Sequence, residues 1–198
     1  MYTTYAPAAL PFETFDKWLL EATATEVNDP TAAALATISP QGLPEVRMVL
    51  VRQWGPTGFV FCTNRDSIKG QALAVHPHAS LCWHWKSLRR QVRLSGPVTM
   101  LTDDEVDTIF AARARASQIG AWASLQSRPL VGRAALEARI HEYTSRFEGQ
   151  TVPRPPYWVG YRVMPVQIEF WQEKDYRLHD RILYRLSENG WTHEALFP

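Results

Sequence analysis

Arg177, His179 and Arg181 stand two residues apart, just beyond the strand-like run Gln167-Ile168-Glu169-Phe170-Trp171. If the backbone is extended there, period-two geometry sets two guanidiniums and an imidazole on one face, with Leu178 and Asp180 on the other. Like charges side by side repel, so such a face calls for an anionic partner. The competing reading is a solvated edge strand kept soluble by its charges. His179 can be read as a base or as a donor that orients a ring.

Other segments have the same anion-binding character. Arg47-Met48-Val49-Leu50-Val51-Arg52 is an apolar strand with an arginine at each end. A buried unpaired charge is expensive, so these arginines either meet an anion or reach solvent from the strand ends. Thr63-Asn64-Arg65-Asp66-Ser67-Ile68-Lys69-Gly70 leads from a strand through a polar turn into a helix start. Free N–H groups and the helix dipole favour an anion there, and Thr63, Ser67 and Lys69 add donors and charge. The glycines of a P-loop or a dinucleotide fingerprint are missing. Arg113 and Ser117, four apart across a helix junction, could both reach one phosphate. The alternative is an ordinary basic helix end. Gln126-Ser127-Arg128-Pro129 is a polar loop between helices.

No nucleophilic triad, paired carboxylates or metal-ligand cluster is visible, so no metal is expected. A bound cofactor is then expected to carry any reaction, with the protein supplying phosphate anchors and orientation.

Strands and helices must hold these groups in place. Apolar residues recur at helical spacing over 12–24, and Asp29-Pro30 ends that helix. Strand patterns at 33–38, 45–54 and 59–63 are joined by the turns Ser39-Pro40-Gln41-Gly42 and Gly55-Pro56-Thr57-Gly58, an antiparallel meander. Ser67 caps a helix running to about Val75. Strands follow at 79–85 and 90–101. Thr102-Asp103-Asp104-Glu105 is a capping box for a helix to about Arg113. Helices are expected at 117–125 and 133–147, and Pro153-Arg154-Pro155-Pro156 is a rigid connector. Strands at 161–171, 181–186 and 191–196 complete the chain. About eight antiparallel strands with interspersed helices give an α+β, mainly β fold, a closed or half-closed barrel.

With 198 residues, the chain is expected to form one domain able to bury a sizeable core. Lys+Arg 21 against Asp+Glu 20 leaves a net charge of +1, so anion binding must come from local clustering and not from bulk basic character. Eight tryptophans allow stacking on a planar ligand or filling of an interface. Cys62 and Cys82 lie in apolar strand-like stretches and read as free thiols in a reducing compartment. Residues 1–12 lack the features of a secretory signal, and no run of about 18 apolar residues exists to span a membrane. A cytoplasmic protein is expected.

Taken together, Ser117-Gln118-Ile119-Gly120-Ala121-Trp122, Gln167-Ile168-Glu169-Phe170-Trp171 and Arg177-Leu178-His179-Asp180-Arg181 resemble the pyridoxamine 5′-phosphate oxidase family, and the likeness runs from about Trp18 to Pro198. The resemblance implies an FMN-binding split β-barrel with flanking helices, working as a homodimer with each flavin between two subunits. It implies oxidation of pyridoxine or pyridoxamine 5′-phosphate to pyridoxal 5′-phosphate, with O2 reduced to hydrogen peroxide. It makes residues 1–11 a flexible extension and 153–198 the strands that complete the interface site. Carried over by position, FMN contacts are Arg47, Met48, Val49, Leu50, Val51 and Arg52 along the strand, Cys62, Thr63 and Lys69 near the phosphate, and Gln91. The second subunit would supply Gln126 and Ser127, with Trp171 and Arg181 closing the site. Substrate contacts are Arg52, Arg113 and Ser117 at the phosphate, and Arg177, Leu178 and His179 around the ring, with Arg177 and His179 as the catalytic pair.

The chain departs from the family pattern at four positions. Arg52 stands for the usual Lys, Ile109 for a Tyr, Ile68 for an Arg and Cys62 for a Tyr. Residues 1–10 also contain no Arg, where the family has a basic segment over the substrate. Losing a hydroxyl on the substrate phosphate costs about 1 kcal/mol if nothing replaces it. The alternatives are an FMN oxidase or flavin reductase acting on another small metabolite, and a non-catalytic barrel holding single-stranded nucleic acid. Near-neutral net charge weighs against the latter.

Overall fold

The computed structural model describes residues 10–198. Residues 1–9, most of the expected extension, lie outside the described residues. Helix α1 (Pro11–Thr25) starts with Pro11, whose fixed φ suits a first turn, and buries Phe12, Phe15, Trp18, Leu19 and Ala22 as the helical spacing anticipates. Phe15 meets the rings of Phe59 and Trp83 edge-on at 5.1 and 5.0 Å, and Trp18 meets Phe170 at 5.2 Å. Truncating such a ring to alanine costs ~3–5 kcal/mol.

The strands are β1 (Ala32–Ile38), β2 (Pro44–Gln53), β3 (Phe59–Asn64), β4 (His78–Trp85), β5 (Arg90–Met100), β6 (Trp158–Val163), β7 (Gln167–Gln172), β8 (Asp180–Ser187) and β9 (Gly190–Ala195). All pair antiparallel. The order β4-β1-β2-β3-β6-β5 closes through β4–β5 pairing into a six-stranded barrel, and β7, β8 and β9 extend from β5. Strand β5 serves both parts: Arg90 to Ser95 pair with β7, and Val98 to Met100 pair with β6.

Alternation in β1 and β4 sends every second side chain inward, where Ala33, Leu35, Leu81 and Trp83 are buried. Strand β3 is covered on both faces. Phe59 and Phe61 face the barrel core, and Val60 faces a second core with Val106, Phe110, Ile119, Phe147 and Trp158. That outer core is built by α3 (Asp103–Ala111), α4 (Arg115–Ala123) and α5 (Arg133–Arg146), while α2 (Ile68–Val75) follows β3. The expected capping box is present on α3: Glu105 N–H donates to Thr102 Oγ1, and Thr102 N–H donates to the Glu105 carboxylate at 2.9 Å. Among the described residues no helix is long and apolar enough to cross a membrane.

Two expectations need correction. The strand expected over 161–171 is two strands, β6 and β7, separated by Met164-Pro165-Val166. Pro165 has no N–H for a ladder, and the chain crosses there from β3 to β8 as neighbour. A Cβ on Gly96 would lie 1.8 Å from the Met164 carbonyl oxygen, so this crossing passes directly over β5. Nor does extended backbone run from Arg177 to Arg181. A 3₁₀ turn (Asp175–Arg177) holds Tyr176 and Arg177 at φ 57 and 63, so Arg177, His179 and Arg181 do not share a strand face.

Candidate functional site

Strand β2 pairs with β1 along residues 44–50 but meets β3 only at Val51 and Gln53, where the register slips. This bulge parts the barrel wall, as bulges beside functional sites do. The gap opens into a cleft of about 710 Å³. Its walls are Met48, Val49, Leu50 and Arg52 from β2, Cys62 and Thr63 from β3, and Lys69 from α2. Ile109, Arg113, Ser117, Gln126 and Trp158 close the other side. Four of the segments singled out by residue type therefore converge on one place.

At one end of the cleft, Ser67 caps α2 by accepting from the Gly70 N–H. Gly70 is required, since a Cβ there would meet the Arg65 carbonyl oxygen at 2.2 Å. Lys69 Nζ donates to Thr63 Oγ1 at 3.2 Å, Ser67 Oγ at 3.3 Å and Gln126 Oε1 at 3.1 Å. Thr63 also donates to Gln126 Oε1, and the Ile68 N–H donates to Ser127 Oγ at 3.4 Å. Gln126 and Ser127 thus stand on the same chain as Lys69, not on a second subunit, because the loop after α4 folds back over the start of α2. Ser127 is held at φ 69, a left-handed conformation that non-glycine residues rarely keep without a reason. Burial, and then the nearby Arg47, push the Lys69 ammonium below its ordinary pKa. Arg47 donates to Thr37 Oγ1 at 2.5 Å and to the Glu45 carboxylate at 2.9 Å. Together with Ile68, Lys69 and Ser127 it borders a shallower hollow of about 450 Å³.

At the other end, the Arg113 guanidinium lies 4.9 Å over the Trp158 ring and donates to the Ser117 carbonyl at 3.3 Å. Its Nε–H is buried without a partner among the described residues. Burial and then Arg52 lower the Arg113 pKa, with Cys62 opposing them. The Cys62 thiol is pushed up to about 11, burial outweighing the pull of Arg113 and Arg52. Among the described residues none of Arg52, Lys69 and Arg113 forms an ion pair with a carboxylate. An arrangement of three cations without acids, one with a stranded donor, is built to take an anion from outside.

Gln91, Trp171, Arg177, Leu178, His179 and Arg181 do not line this cleft. Trp171 and Arg181 stand on the appended strands β7 and β8, Gln91 on β5, and Arg177, Leu178 and His179 in the turn before β8. Gln91 and Trp171 are cross-strand partners on β5 and β7. The Trp171 and His179 rings lie 4.6 Å apart, and His179 Nδ1 accepts from the Lys174 N–H at 3.2 Å. Arg181 Nε donates to Glu169 Oε1 at 2.9 Å and Nη1 donates to the Phe197 carbonyl at 2.9 Å. Sequence reasoning missed Trp158 as the ring beneath Arg113, and Glu169 as the acid between Arg93 and Arg181. Only the second left a signal, a lone charge inside the apolar run around Ile168 and Phe170.

Comparison with known proteins agrees with this geometry. Residues 19–147 match the family model described as pyridoxamine 5′-phosphate oxidase, and residues 158–198 match the pyridoxine 5′-phosphate oxidase C-terminal dimerisation region. The chain is 53% identical over 193 residues to the pyridoxine/pyridoxamine 5′-phosphate oxidase of Rhodospirillum rubrum, covering 95% of this chain and 96% of that protein. Among solved structures, PhzG from Burkholderia lata 383, in complex with tetrahydrophenazine-1-carboxylic acid, superposes with a TM-score of 0.90 at 34% identity, covering 97% of this chain and 94% of that one. A pyridoxamine 5′-phosphate oxidase-related, FMN-binding protein from Nostoc punctiforme shares the fold, with a TM-score of 0.76 at 19% identity over 97% of this chain and all of that one. The split barrel, the cationic cleft and these matches along nearly the whole sequence lead to one conclusion: the chain belongs to the pyridoxamine 5′-phosphate oxidase family of oxidoreductases.

Proposed function

We propose that this protein is an FMN-dependent oxidase converting pyridoxamine 5′-phosphate and pyridoxine 5′-phosphate to pyridoxal 5′-phosphate, with O2 taking the electron pair and leaving as H2O2. The observation that carries the reading is the cleft in which Arg52, Lys69 and Arg113 meet no carboxylate among the described residues. Two phosphates, one on the cofactor and one on the substrate, satisfy that cluster.

The residues present fit FMN. Lys69, Arg47 and Ser127 border one hollow for its phosphate, with Glu45 on its rim paired to Arg47 and Thr63 holding Lys69 from the adjoining cleft. The side of β2 turned away from β1 offers the backbone groups of Met48 and Leu50, which have no β3 partner among the described residues, to the polar edge of a planar ring. When bound, FMN supplies hydride acceptance and reaction with O2. Arg52, Arg113 and Ser117 grip the substrate phosphate, and the raised Cys62 thiol stays protonated and uncharged beside them. Arg177 and His179 hold the pyridine ring and balance charge. Fixing both phosphates places the reacting carbon, so positioning accounts for most of the rate gain.

Gln91, Trp171, Arg177, His179 and Arg181 lie outside the cleft of their own chain, so a second copy must bring them to it. The outer faces of β1 and β2 suit that role: Val46 and Met48 are 67% and 62% exposed, next to the small Ala34 and Ala36. The protein is therefore a homodimer with flavin at the subunit seam. Both cysteines are free, in keeping with the reducing cytoplasm.

Purified protein should be yellow and dimeric, and should consume O2 with either B6 phosphate, yielding pyridoxal 5′-phosphate. A colourless protein that refuses added FMN refutes the reading. A second reading, oxidation of another small metabolite on the same flavin, is favoured by the apolar Ile109 on the cleft wall. It predicts a yellow protein with no O2 uptake on either vitamer.

A further inference from the structure

Glu169 is the one fully charged side chain planted in the apolar run of β7, and it is only 3% exposed. Its two oxygens are divided between two arginines. Oε2 accepts from Arg93 Nε at 2.8 Å and from Arg93 Nη2, and Oε1 accepts from Arg181 Nε at 2.9 Å. Burial by itself would push the carboxyl up, but the hydrogen bonds from Arg181 and Arg93 outweigh it, so Glu169 stays ionised. A buried carboxylate of this kind is costly to place and persists only when its partners have excellent geometry.

The use of Arg181's donors is uneven. Nε–H is committed to Glu169 and one Nη1–H to the Phe197 carbonyl, and a guanidinium has five N–H donors in a rigid fork. The Nε edge is therefore held by an acid at a fixed angle, while Nη2 donates to no acceptor among the described residues, on the strand face that Arg181 shares with its cross-strand partner Trp171. Arg93, more than half exposed, takes the other oxygen and prevents Glu169 from rotating to grip Arg181 with both. A bidentate grip would use up the fork; the observed one aims it.

We propose that Glu169 is a positioning residue for the flavin site: through one oxygen it fixes the Arg181 guanidinium so that its free end meets the FMN of the partner subunit, with Arg93 enforcing that single-oxygen grip. The inference rests on the reading that Arg181 contacts FMN, and it adds a residue that touches neither cofactor nor substrate.

The test is a double-mutant cycle on FMN affinity, measured by fluorescence titration of the flavin-stripped full-length protein with FMN, with dimer content followed by sedimentation. Glu169→Gln keeps the shape and removes the charge. Glu169→Asp keeps the charge and withdraws it, and covers the case in which the amide variant fails to fold. Each is expected to weaken FMN about tenfold, the effect of losing a charge-assisted contact. In an Arg181→Ala background the same substitutions should change FMN affinity less than twofold, because nothing is left to aim. A merely structural role for Glu169 would weaken FMN by the same factor in both backgrounds, and that result overturns the proposal. Unchanged FMN affinity in both Glu169 variants also overturns it. If Arg181→Ala itself leaves FMN affinity unchanged, the reading of Arg181 as a flavin contact fails, and this inference fails with it.

Discussion

Replacing Arg113 by methionine should make the flavin-free protein more stable while crippling it as an enzyme. Two contacts are lost: the guanidinium over Trp158, worth about 1 kcal/mol at a half-buried site, and the long hydrogen bond to the Ser117 carbonyl, worth ~0.5 kcal/mol. Against these, Arg113→Met removes the stranded buried Nε–H, about 2 kcal/mol, and the repulsion from Arg52, roughly 0.5–1 kcal/mol in a screened cleft. Methionine keeps an apolar stem against the ring. The balance favours the variant by about 1 kcal/mol, or ~2–4 °C in melting temperature for a chain of this length. Thermal melts followed by circular dichroism in phosphate-free buffer measure it directly. Adding inorganic phosphate should raise the wild-type midpoint more than the variant's, which keeps only the hollow at Lys69 and Arg47, so the order of the two converges or reverses. On a phosphorylated vitamer, loss of a charge-assisted contact of ~1.5–3 kcal/mol should cost about 10- to 100-fold in kcat/KM. A variant that melts at least 1 kcal/mol lower without phosphate would show that Arg113 stabilises the empty cleft, and the argument from unpaired cations would collapse.

Other perturbations test other parts of the molecule. Arg177→Ala should lower turnover by orders of magnitude with FMN still bound; stopped-flow reduction of the holoprotein by substrate reads the step, and an unaltered rate removes Arg177 from it. Cys62, with its thiol near 11, should react with a neutral-pH disulfide reagent about ten- to a hundredfold more slowly than a thiol at 9.0, the lost thiolate outweighing its higher nucleophilicity, and comparison with Cys62→Ser assigns the slow phase. Because the folded thiol holds its proton more tightly than the unfolded one, its contribution to stability is complete below pH ~9 and falls away as pH rises toward 11; the urea midpoints of wild type and Cys62→Ser should diverge from their neutral-pH difference over that interval. Gly96→Ala should destabilise by several kcal/mol, or prevent folding, since its Cβ would sit 1.8 Å from the Met164 carbonyl oxygen. Soluble expression at wild-type level with an unchanged midpoint contradicts the close crossing.

Much of the fold was legible from the sequence because its signals are local. Turn residues, the helical spacing over 12–24, and the Thr102 capping box each act within a few residues, and the structure has them in place. The cleft was legible in part: Arg52, Thr63, Lys69, Arg113 and Ser117 could be named from charge and residue type, and they line one cavity. What could not be read depends on distant neighbours. The break at Pro165 matters because β5 changes partners beside it, and the period-two reading of Arg177 to Arg181 failed because Tyr176 and Arg177 adopt a left-handed turn that neither residue type announces. Trp158 beneath Arg113 and Glu169 between Arg93 and Arg181 are contacts across 45 or more positions in one case and across strands in the other, beyond any local pattern.

The parting of β2 from β3 has a dynamic consequence. Amides at residues 48 and 50, which point into the opening, have no β3 carbonyl across from them among the described residues, so in the empty protein they should trade protons with heavy water far sooner than the β3 amides that face β6 in a continuous ladder. A planar guest seated there would act as the absent strand, and the slowing of exchange at those few positions would report occupancy amide by amide.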